Sequence, residues 1–81
     1  MEEILKRLQA LQISAMHKNI NFDILMSHDG TTKVEAHLSY FSAVMSVQEQ
    51  YVMNVKFTER TSNDETERRF NNIERFIHEI V

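Results

Sequence analysis

Apolar and polar residues alternate from Ile20 to Tyr40, and no other feature of the chain restricts its fold as tightly. Ile20, Phe22, Ile24 and Met26 point to one side of an extended strand, while Asn21, Asp23 and Ser27 point to the other; only Leu25 breaks the order. Val34, Ala36, Leu38 and Tyr40 repeat the pattern after His28-Asp29-Gly30, so the spacing predicts a β-hairpin with one buried face. A slip of one residue would expose one apolar set entirely, which demands an odd loop length. The loop His28-Asp29-Gly30, with Gly30 left-handed in a G1 bulge, sets Ile24 opposite Val34 and Phe22 opposite Ala36. The loop Asp29-Gly30-Thr31 keeps the same parity and the same buried face.

Helical spacing flanks the hairpin. Ile4, Leu5, Leu8, Leu11 and Ala15 form a stripe within residues 2–17, with Glu2 and Glu3 at the end where the helix dipole favours negative charge. Ile13 and Met16 fall beside this stripe, which predicts cover over an arc wider than one sheet face supplies. Tyr51, Met53, Val55 and Phe57 alternate with polar neighbours and predict a third strand, completing a meander. Residues 41–50 allow an extension of the second strand, a short irregular turn or a mobile connection, and the favoured reading is an extended strand followed by a turn at Gln48–Gln50. Ser62 and Glu65 have capping-box spacing, and Phe70, Ile73, Phe76, Ile77 and Ile80 supply the stripe of a second helix. Asn63 to Arg69 holds no large apolar side chain, so the first two turns of that helix are expected to project into solvent. Two amphipathic helices and one sheet with a single apolar face predict an α+β two-layer sandwich, α-β-β-β-α, with a three-stranded antiparallel meander and both helices on one face. Residues 1–81 are read as one domain.

Composition narrows the classes of function. A domain of 81 residues buries only about 60% of its unfolded surface, which leaves little room for a deep catalytic cleft. Twelve acidic against nine basic side chains give a net charge of −3, a field that repels polyanions. There is no cysteine, in keeping with a reducing cytoplasm, and a cytoplasmic location is expected. No basic start precedes an apolar run, and no apolar run approaches the ~20 residues that cross a bilayer, so neither a secretion signal nor a membrane span is expected. With no proline, one glycine and Met1 at its start, the chain reads as a complete small open reading frame without linkers.

Motifs of chemistry are missing. The four histidines, at 17, 28, 37 and 78, fall in no metal-ligand spacing, and a pair such as His37 with Asp23 is too few for a site. A single glycine cannot build a phosphate cradle, and Ser39, Ser42 and Ser46 have no base and orienting acid at defined spacing. No catalytic residue, metal or cofactor is expected, and the chain is not read as an enzyme.

The element order, with a turn at His28-Asp29-Gly30 where a binding loop would fall, resembles the double-stranded-RNA-binding domain over nearly the whole chain. That family reads phosphates with a lysine cluster at the start of its second helix. Here the corresponding stretch is Asn63-Asp64-Glu65-Thr66-Glu67-Arg68-Arg69. The stretch departs from the family by lacking the lysine cluster. The alternative function that the resemblance implies, a nucleic-acid-binding regulator, would rest here on a local basic patch of Lys56, Arg60, Arg68 and Arg69, whose arginines alternate with glutamates as on a solvated helix face.

Surplus apolar residues favour another reading. Leu25, Phe41 and Val52 fall on the polar side of the sheet, and Val44, Met45 and Val47 crowd the connection beside them, whereas Met26 and Met53 fall on the buried side as core filler. The favoured function is a small non-catalytic protein-interaction module, an adaptor or inhibitor or a homodimer. Leu25, Phe41, Val44, Met45 and Val52 would be its apolar anchors, and Asp64, Glu65 and Glu67 an acidic rim that orients the protein partner. Such compact acidic frames resemble accessory proteins of phages and mobile elements. No small-molecule substrate is indicated.

Overall fold

A helix, three strands and a second helix follow one another as α1 (Glu2–Met16), β1 (Asn21–His28), β2 (Thr32–Val44), β3 (Val47–Thr58) and α2 (Asn63–Glu79). The computed structural model describes residues 1–44 and 47–80, with side chains described outside 43–47. The strands form one antiparallel sheet in the order β1-β2-β3.

Register fixes which residues reach the core. Phe22 stands opposite Leu38, Ile24 opposite Ala36, Val34 opposite Phe57 and Ala36 opposite Val55. These residues share one face, and Leu8 and Ala15 of α1 and Phe70, Ile73 and Ile77 of α2 pack in the same buried cluster, so both helices cover that face. Phe57 and Phe70 stack at its centre with ring centroids 4.8 Å apart. The expected two-layer α+β sandwich is therefore the observed fold.

A backbone closure ends α1, and side-chain caps hold both ends of α2. Asn19 is left-handed (φ 59°), the amide of Ile20 donates to Ala15 O at 3.0 Å, and that of Asn19 donates to Met16 O at 3.1 Å. This is a Schellman closure of α1, and its accompanying apolar contact is supplied by the buried pair Ile20 and Ala15. Ser62 caps α2 by accepting from the Glu65 amide at 3.2 Å. The return half of the capping box is absent, because the Glu65 carboxylate turns instead to Arg68 and Arg69. At the other end of α2, Lys18 Nζ donates to the carbonyls of Ile77 and Ile80.

Several expectations need correction. Of the two loop placements, the structure adopts Asp29-Gly30-Thr31, with His28 paired to Thr32 and Gly30 at φ 75°; Ile24 therefore faces Ala36, not Val34. Gln48–Gln50 are not a turn but lie in β3 opposite Phe41–Ala43, because the β2–β3 pairing continues as far as Val44 and Val47. Met26 is 53% exposed although it lies on the core side, since it stands on the edge strand, while Val34 and Phe57 in the same row are buried. Ile13 and Met16 are likewise exposed, as nothing in the described residues packs on that flank of α1. The start of α2 does not project freely. Arg7 of α1 holds Glu67 in two bonds of 2.6 and 3.0 Å, and Arg69 donates to the Lys56 carbonyl of β3.

Candidate interaction surface

β1 ends its pairing at Asn21 opposite Ser39, while β2 and β3 stay paired from there to Val44 and Val47. The last five residues of β2 thus form a two-stranded arm about 16 Å long beyond the three-stranded part of the sheet. Val, Tyr and Phe in this stretch favour extended backbone, in keeping with strands that persist without a third neighbour.

The main exposed apolar pair straddles the root of the arm, with Phe41 on it and Val52 in the last three-stranded row. Phe41 and Val52 lie on the helix-free face, 60% and 59% exposed. Phe41 is directly opposite Gln50, so Val52 is its diagonal neighbour on β3, within reach of an aromatic ring. Leu25 is on the same face and 51% exposed, but it stands on β1 in the row of Glu35 and Lys56, at the other end of the sheet. Met45 lies outside the described residues, as does the side chain of Val44. The sequence-derived apolar set therefore contains one adjacent pair and one residue remote from it.

Sequence reasoning missed two tyrosines. Tyr51 and Tyr40 are opposite one another on the helix side of the arm, with ring centroids 6.4 Å apart. With Phe76 and Ile80 they border a hollow of about 340 Å³ beyond the last turn of α2. Tyr51 reads as core from alternation alone, yet it is 44% exposed because α2 ends short of it. Its hydroxyl donates to the Glu49 carboxylate, and that bond raises the phenol above its ordinary pKa. Alternation carries no sign of this, because it does not encode where β1 and α2 stop.

The charged residues gather at the opposite end, around the start of α2. Glu65 accepts from Arg68 at 2.6 Å and from Arg69 at 2.9 Å, and these two bonds lower its pKa. Glu67 is lowered by its bonds from Arg7. Asp64 is exposed. This acidic set does not border Phe41 and Val52, and two of its three members are already paired within the chain. Lys56, Arg60 and Arg69 line an open hollow of about 890 Å³ between β3 and α2, together with Glu65, Asn54 and Asn72, whereas Arg68 lies outside it. On the open sheet face His37 Nε2 is 2.9 Å from Glu35, which holds Glu35 below the ordinary carboxylate range.

Among the described residues no group of three His, Cys, Asp or Glu side chains is placed to hold a metal ion, and no helix is long and apolar enough to cross a membrane. Comparison of the chain with models of protein families, with curated proteins and with solved structures found no match.

Proposed function

We propose that the chain is a small non-catalytic protein-interaction module, an adaptor or inhibitor whose binding element is the β2–β3 arm. The adjacent exposure of Phe41 and Val52 supports this reading most directly, because a lone exposed apolar residue is ordinary whereas a projecting aromatic–aliphatic pair is a suitable anchor for a protein surface. Tyr40 and Tyr51 on the reverse of the same arm add large amphipathic side chains of the kind enriched at interfaces.

The test is the Phe41→Ser/Val52→Thr double variant. Its far-ultraviolet circular dichroism should match that of the parent chain, while sedimentation should show loss of association. Retained association in a folded variant refutes the role of the pair, and loss of folding assigns both residues to the core instead.

A nucleic-acid-binding regulator is a second reading, favoured by the common hollow of Lys56, Arg60 and Arg69. It requires binding to RNA or DNA that weakens steeply with added salt. The pairing of Arg69 with Glu65 and the net charge of −3 weigh against it.

A further inference from the structure

The free edge of β3 has the chemistry of a strand-pairing site. Arg69 donates to the Lys56 carbonyl, so this carbonyl faces away from β2. In an antiparallel ladder the outward-facing residues alternate, which places the free N–H and C=O groups of β3 at Gln48, Gln50, Val52 and Asn54, ending where Arg69 occupies Lys56. Gln12 independently checks this phase. It donates to the Phe22 carbonyl on the outer edge of β1, as the same alternation carried across the sheet requires.

Glu49 is the one charged residue along this stretch, and its carboxylate is engaged by the Tyr51 hydroxyl. Gln48 to Val55 contains no proline, glycine, lysine or arginine, the residues that ordinarily discourage edge pairing. The chain also has more surface than its size calls for. Its accessible surface is 5858 Å², against roughly 5,100 Å² for a compact monomer of 9.6 kDa. Its radius of gyration is 13.7 Å, against about 12 Å for a compact chain of this length.

Resting on the reading of the arm as a binding element, we infer that β3 pairs antiparallel with β3 of a second copy of this chain, around a two-fold axis at Tyr51, to make a continuous six-stranded sheet. That register alone uses all four free positions, Gln48 against Asn54 and Gln50 against Val52 of the other copy. It sets Tyr51 against its own counterpart and Glu49 against Met53, so no like charges are opposed. On the helix-free face it brings the two apolar pairs together in one zigzag, Phe41 and Val52 of one copy followed by Val52 and Phe41 of the other.

Light scattering on the parent chain and on Gln50→Pro tests the pairing, because proline removes an outward N–H and leaves the bonds to β2 in place. The parent chain should weigh twice 9.6 kDa and the folded variant half of that. A parent chain that is monomeric up to millimolar concentration overturns the pairing and leaves the arm free for a different protein. A dimer that survives Gln50→Pro but dissociates in Phe41→Ser/Val52→Thr overturns the edge contact and retains the apolar pair. Should Gln50→Pro fail to fold, amide exchange on the parent chain decides the matter. The Gln50 and Val52 amides should slow about tenfold or more as concentration rises. Fast exchange there at every concentration, beside protected Tyr51 and Met53, overturns it.

Discussion

Lys18, just past the end of α1, donates its ammonium to the Ile77 carbonyl at 2.8 Å in the last turn of α2, and to the Ile80 carbonyl at 2.9 Å. One cation thereby satisfies two carbonyls that a helix C-terminus leaves without partners and places positive charge where the dipole favours it. Lys18→Met should keep the aliphatic stem and lose both bonds, lowering stability by about 1–2 kcal/mol. The urea midpoint would fall accordingly, and an unchanged midpoint would mean that water replaces the lysine without loss.

The two left-handed residues should respond in opposite senses to substitution. Asn19 pays a conformational cost at φ 59° that glycine avoids, so Asn19→Gly is expected to raise stability by up to about 0.5 kcal/mol, while Asn19→Val lowers it by about 1–2 kcal/mol. Gly30, at φ 75°, has no atom within 4 Å of an added Cβ, so the loss on Gly30→Val would come from backbone strain alone. Thermal unfolding of the three variants checks the order.

Glu67 sets an acid-dependent part of stability. Its hydrogen bonds from Arg7 hold its carboxyl below the ordinary range, while the same contact pushes the Arg7 guanidinium up and keeps it charged. A depressed carboxylate pKa stabilises the fold above the unfolded value, and that stabilisation is lost as pH falls through the folded value. Stability of the parent chain should therefore decline between about pH 5 and pH 3 more steeply than that of Glu67→Gln. Equal slopes in chemical denaturation across this range would remove Glu67 from the acid limb. Because the pair is half exposed, the difference should shrink in high salt.

Arg7 also lies over the Phe70 ring, 4.0 Å from its centroid, and Phe70 stacks in turn on Phe57. Phe70→Ala opens a cavity at a fully buried site and removes the surface on which Arg7 rests, an expected loss of about 3–5 kcal/mol. Chains of this length have a total stability of about 4–12 kcal/mol, so the variant should lose a large share of it and its thermal midpoint by circular dichroism should fall by about 12 °C or more. Phe70→Leu should remain folded.

The sheet and its buried face were readable from alternation because a strand buried on one side carries its orientation in every second residue. Both helices were readable for the same reason at a period of 3.6. Strand length was not. Nothing in the composition of Gln48-Glu49-Gln50 distinguishes a turn from the polar side of a long ribbon, and only pairing with Phe41–Ala43 decides it. The exposure of Tyr51 depends on where α2 stops, and that of Met26 on its place in the edge strand, tertiary facts that alternation does not encode. Phe41 and Val52 could be assigned to the open face from parity, but their adjacency follows from register. The alternating charges of α2 gave no hint that Glu67 pairs with Arg7, sixty residues away in sequence.

Which end of the molecule is used can be measured directly. NMR spectra recorded as concentration is raised from micromolar to millimolar should show shifts concentrated at Phe41, Val52 and the Gln48–Asn54 edge, with Asp64 to Arg69 unaffected. Shifts confined to Asp64–Arg69, with the arm unmoved, would place association at the start of α2 and refute the arm as the binding element.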